Sequence, residues 1–138
     1  MNAGHNYAAD LAQRAYDDAH AILAVDSLHA GAHNLLGRIN YEVMDLPRIA
    51  RFIARRVLGH PALHDSSWEG AEHHLGRAAE LSPDNVLYQL DLGDVYQRRD
   101  RDAEAREVLG RVLAMPSVNP ADDFFKESAR RFLEELGS

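Results

Sequence analysis

Eight histidines and no cysteine make imidazole the side chain with the most chemistry to offer in this 138-residue chain. His29 and His33 stand four apart, as do His60 and His64, and His73 adjoins His74. On a helix, an i, i+4 pair can turn two imidazoles toward one zinc ion. Neither pair carries the carboxylate of a zincin motif, and Pro61 falls within the second, which is expected to lack helical geometry. The histidines therefore read as packing or surface residues, with no metal or cofactor expected and a metal-binding or hydrolytic protein a remote alternative. Ser66 and Ser67 lie close to His64, but hydroxyls ahead of a helix more often cap its free N–H groups than attack a substrate. Without cysteine there is no thiolate nucleophile and no disulfide. No glycine-rich loop stands in the strand-loop-helix context that cradles phosphate. No enzymatic activity is expected.

A second cluster is cationic. Arg48, Arg51, Arg55 and Arg56 crowd one segment, and residues 46–64 contain no acid. Ile49, Phe52, Ile53 and Val57 make the opposite stripe of the same helix. The stripe is expected to pack inward, with the arginines pairing to an acidic surface. The alternative is a surface-association module in which this helix meets an anionic partner or a membrane. The net charge of −7 argues against nucleic acid as a partner, because phosphate backbones require a basic footprint. No apolar run reaches the ~20 residues that span a bilayer, so a membrane is not the expected partner. No signal-peptide pattern opens the chain, which favours the cytoplasm; export stays open if Met1 is an internal start of a longer precursor.

These residues must be positioned by helices. No period-2 alternation is sustained, and Ala, Leu, Arg and Glu dominate. About seven helices are expected: Tyr7 to Val25, Leu28 to Met44, Pro47 to Leu58, one from a Ser66-x-x-Glu69 capping box to Leu81, Asp84 to Arg98, Asp102 to Met115, and a last one from Pro120, capped by Asn119.

The helices repeat. Ala71 to Met115 contains two similar stretches offset by 34 residues, Ala71–Leu81 and Ala105–Met115, with Leu75-Gly76-Arg77 matching Leu109-Gly110-Arg111. That period is the length of a tetratricopeptide (TPR) helix-turn-helix. Leu92, Gly93, Tyr96, Ala105, Leu109 and Pro116 resemble the TPR signature, with Gly93 and Ala105 small where paired helices cross. Leu36-Gly37 precedes Leu92-Gly93 by 56 residues, which is one period plus an insertion of 22. The expected architecture is an all-α, TPR-like right-handed superhelix forming a single domain. Residues 7–27 form the trailing helix of a first repeat and 28–83 a split repeat with an inserted helix at 47–59. Residues 84–117 form an intact repeat and 119–136 a closing helix.

The split repeat carries a more specific resemblance. Leu35-Leu36-Gly37-Arg38, Tyr41-Glu42-Val43, a helix ending Leu58-Gly59-x-Pro61, Trp68-x-x-Ala71 and Ala79-Glu80-Leu81-Ser82-Pro83 are similar to the regulator of microtubule dynamics family, TPR-like proteins with eukaryotic and bacterial members. The resemblance, in its bacterial form, implies a helical protein-interaction fold. It supplies no motif here for microtubule association.

A TPR array lines its concave groove with the first helix of each repeat. Transfer of those positions gives Asn34, Arg38, Tyr41 and Glu42 from the split repeat, and Leu90, Asp94, Gln97 and Arg98 from the intact one. The set does not match a clamp for a C-terminal carboxylate. The expected function is therefore a non-enzymatic scaffold binding an unidentified protein or peptide, with self-association a further option. Tyr41 is the expected aromatic contact, exposed enough that truncating it with Arg38 should leave melting intact.

Overall fold

The computed structural model describes the backbone of residues 3–137 and the side chains of residues 7–137; Met1 lies outside them. Among the described residues there are eight helices and no strand. They are α1 (Ala3–Val25), α2 (Ala30–Asp45), α3 (Arg48–Leu58), α4 (Pro61–Asp65), α5 (Trp68–Leu81), α6 (Val86–Arg98), α7 (Asp102–Ala114) and α8 (Pro120–Gly137).

The eighth helix is α4, in the segment expected to be irregular. Pro61 sits at its first position, where the missing N–H would be unpaired anyway and the fixed φ suits a helix. Leu63 and His64 both donate backbone N–H to His60 O, and Ala62 and Leu63 are buried. Pro61 thus starts a turn instead of breaking one. The expected Ser66–Glu69 capping box is replaced by a single serine cap one residue later. Ser67 Oγ accepts from Gly70 N at 2.9 Å and starts α5, while Ser66 Oγ turns back to Ala62 O at 2.5 Å and ends α4. The α6 cap is Asn85, accepting from Tyr88 N. At α8 the Asp122 carboxylate reaches back to Val118 N and Asn119 N.

Packing follows the glycines. α2 lies against α5, and α6 against α7. A Cβ added at Gly37 would lie 2.6 Å from Leu75 Cγ, and one at Gly93 would lie 2.5 Å from Leu109 Cδ2. Neither leucine has any exposed surface. In both pairs a side-chain-free position on the first helix admits a buried leucine from the second, which close packing then locks. Gly76 and Gly110 are different: an added Cβ meets nothing closer than 3.8 Å at the first and nothing at all at the second. The Leu-Gly pairs therefore work in two ways, through glycine on α2 and α6 and through leucine on α5 and α7.

Two larger core clusters result. One joins Tyr41, Ala71, Leu75, Leu92, Val95 and Val108 across α2, α5, α6 and α7. The other joins Val86, Leu90, Ala105, Leu109, Val112 and Ala129, closed by Phe125, Phe132, Leu133 and Leu136 of α8. A third, smaller cluster seats Ala19 of α1 on Ala32 and Leu36 of α2. α3 contributes no buried residue to any of them.

Candidate functional site

On α2, Arg38 follows Asn34 by four residues and precedes Tyr41 by three and Glu42 by four, and on α6 Asp91, Asp94 and Arg98 are spaced by three and four. Such spacings stack side chains on one helix face. The two faces meet. Asn34 Nδ2 donates to Asp91 Oδ2 at 3.0 Å, and Tyr41 Oη donates to Asp94 Oδ1 at 2.9 Å. Arg38 lies 3.7 Å from Asp91 and 3.6 Å from Asp94, pairs with Glu42, and stacks 4.6 Å above the Tyr41 ring. Arg98 binds Asp45 at 2.5 Å and lies over the rings of Tyr41 and Trp68, which meet edge to face.

Burial sets the electrostatics of this seam. It pushes the carboxyl of Asp94 above the usual range, opposed by the Tyr41 hydrogen bond and by Arg38. It pushes Asp91 up too, opposed by Asn34 and Arg38. Burial and the nearby Asp94 raise the Tyr41 phenol, which keeps its proton and stays a donor. The seam is thus a closed set of donors and acceptors, and in low dielectric such a set is rigid.

Beyond it lies an open cleft. Tyr41, Asp94, Gln97 and Arg98 line it together with Phe132 and Glu135 of α8. Gln97 Nε2 donates to Glu135 Oε2 at 2.9 Å, so the closing helix borders the cleft instead of sealing it. Of the residues assigned to a groove, these four share one surface. Asn34, Arg38 and Glu42 flank it. Leu90 does not belong there: it is 6 % exposed and packs in the second core cluster. Tyr41 is also 6 % exposed, so its ring is core and only its edge reaches the cleft. Asp91 and Asp45 escaped the sequence reading, and Trp68 entered it only through the family resemblance. Asp91 had a signal, being one helical step from Asp94 and opposite Asn34. Asp45 and Trp68 had none for this site, since only folding brings them to Arg98.

The inserted helix reverses its expected orientation. Arg51 Nη1 donates to Met44 O at 2.9 Å, and Arg55 donates to Leu63 O at 2.6 Å and Ser66 O at 3.1 Å. The arginine edge is pinned to the body, while Ile49, Phe52, Ile53 and Val57 are 53–76 % exposed. Arg48 and Arg56 are exposed beside them, with Arg56 5.9 Å over the Phe52 ring. Backbone carbonyls at the ends of α2 and α4 needed donors, and Arg51 and Arg55 reach them.

Four of the histidines have local partners. His29 caps α2, its Nδ1 accepting from Ala32 N, so it leaves the pairing with His33. His33 is buried, with Nε2 at 3.0 Å from Ser27 O and Nδ1 at 3.0 Å from His74 Nδ1. A carbonyl only accepts, so neutral His33 carries its proton on Nε2 and receives one from His74 Nδ1. Burial lowers the His74 pKa to about 4, helped by His73, His33 and His20. His60 Nε2 faces Asp10 at 2.9 Å. Among the described residues no three His, Asp or Glu side chains gather as a metal site, and no helix is long and apolar enough to cross a membrane.

Paired helices, a self-satisfied polar seam and a solvent-open cleft define an all-helical protein with an accessible polar surface. The profile of regulator of microtubule dynamics protein 1-3 matches residues 8–137, and the chain belongs to that family. A stretch of 54 residues is 41 % identical to the protein O-mannosyl-transferase F38B6.6 of Caenorhabditis elegans. That match spans 39 % of this chain and 8 % of the other protein.

Proposed function

We propose that this chain is a non-enzymatic scaffold with a TPR-like superhelical arrangement, capturing a peptide or protein segment along the α2/α6 face. The repeat reading is supported by the equivalent crossings of Gly37 with Leu75 and Gly93 with Leu109. The observation that carries the binding reading is the shared cleft of Tyr41, Asp94, Gln97 and Arg98 beside Phe132. It offers an acid, a base, an amide and an aromatic edge within one surface. A segment presenting a cation to Asp94 and a carboxylate to Arg98 would be fixed in direction as well as place. Arg98 already binds Asp45, so a partner exchanges that ion pair for its own; this favours reversible capture over tight binding.

Tyr41 is a poor test residue because it is core. Gln97→Ala with Arg98→Ala removes two cleft side chains, with the Glu135 hydrogen bond and the Asp45 ion pair, and leaves the core side chains in place. The expected result is unchanged helicity and a loss of capture of at least about tenfold for peptides selected on the full chain, since a desolvated charged hot spot contributes ~2 kcal/mol or more. Capture at wild-type strength by that variant would remove the cleft from the function.

A further inference from the structure

α3 holds to the body by its polar edge and leaves its apolar edge in water. Its main packing partner is the one-turn α4, and none of its residues is buried. Ile49, Phe52, Ile53 and Val57 make an exposed apolar stripe that Arg56 enters beside Phe52. An apolar face of that kind marks an interaction site.

Charge indicates what covers it. All 22 acidic residues lie outside 46–64, so this segment is a local basic patch on an acidic molecule. Arg51 and Arg55 are engaged with carbonyls, whereas Arg48 stands in solvent at the edge of the stripe and Arg56, four residues after Phe52 and three after Ile53, stands in solvent within it. A second copy docking α3 to α3 would bring these arginines together. A single helix is also convex, and at 11 residues it lies flat over ~16 Å. From this arrangement we infer that α3 docks apolar stripe first onto an anionic lipid bilayer. The four side chains enter the headgroup boundary, Arg48 and Arg56 contact lipid phosphates, and the acidic remainder is held away from the surface. Arg51 and Arg55 act as positioning residues, keeping the stripe outward.

The test is co-sedimentation of the full chain with vesicles of phosphatidylcholine, alone or mixed with phosphatidylserine. Pelleting is expected with the mixed vesicles and to weaken with salt. Phe52→Asp should reduce partitioning at least about tenfold, from the loss of a buried aromatic. Arg48→Glu with Arg56→Glu should reduce it by at least about 25-fold, at roughly fivefold per cation. The Gln97/Arg98 variant should pellet like wild type, so failure of the cleft and failure of the helix are distinguishable. The inference falls if mixed vesicles leave the wild type in solution, if neutral vesicles pellet it equally, or if Phe52→Asp changes nothing. A concentration-dependent dimer abolished by Phe52→Asp, without vesicle binding, would overturn it in favour of a second copy.

Discussion

α2 and α3 are consecutive helices with opposite solutions to the same problem. Both carry an apolar stripe, with one arginine on α2 and four on α3. α2 buries Leu36, Ile39, Tyr41 and Val43 and sends Arg38 to the carboxylates of α6. α3 sends Arg51 and Arg55 to backbone carbonyls and leaves its stripe exposed. What separates them is the available neighbour. Gly37 lets α5 approach until Leu75 fills the gap, whereas α3 packs mainly on the one-turn α4 and touches the end of α2 through its arginines. Amphipathicity says that a helix has a face; it does not say whether that face finds a partner within the chain.

The sharpest way to break the comparison is at the crossings. Gly93→Leu should cost ~1–3 kcal/mol or more by overpacking, although leucine is the better helix former. Gly110→Ala, where an added Cβ meets nothing, should instead stabilise by up to about 1 kcal/mol. Thermal melts of the two variants check the pair; equal shifts would mean that the crossings do not govern stability.

A smaller effect is expected where α2 meets α5 through imidazoles. The His74 pKa is depressed in the fold, so the unfolded chain binds the extra proton first as pH falls. That contribution is present in full above the ordinary histidine value of ~6.5 and is lost down to about 4. Protonation would place charge beside His33 of α2, His20 of α1 and His73 of α5. After allowance for its half-buried position the loss should be of order 1–2 kcal/mol. Denaturant melts between pH 7 and 4 check it, and His74→Gln should flatten the dependence. A wild-type profile already flat would show that the pair is not coupled to folding.

The smallest effect belongs to α3. Phe52→Asp should change stability by no more than about 0.5 kcal/mol, as exposed substitutions do. A large loss by circular dichroism melts would mean that the stripe is packed after all, and would erase the contrast with α2.

Much of the fold was legible in the chain because short-range rules wrote it. Helix periodicity, the 34-residue offset and the 22-residue insertion anticipated seven helices near their observed bounds, and Gly93 and Ala105 marked a crossing. The misses were local competitions that pattern leaves open. Either serine at 66 or 67 can cap, and backbone geometry chose Ser67. Pro61 can start or stop a helix, and burial of Ala62 and Leu63 accompanied a start. Around the cleft, repeat spacing had placed Tyr41, Asp94, Gln97 and Arg98 together, but the burial of Leu90 and Tyr41 was not readable, because spacing gives angular position and not depth.

The sequence by itself determined that this protein is helical, where seven of its helices begin and end to within a few residues, and that Gly93 stands at a helix crossing. Those properties rest on neighbours within a few residues or on one repeated offset. Tertiary structure alone decided that Arg98 pairs with Asp45 and stacks on Trp68, that His74 donates to His33, and that the apolar edge of α3 faces outward. Each joins groups far apart in the chain or depends on which carbonyls lacked a donor, and only the assembled molecule fixes those distances and vacancies.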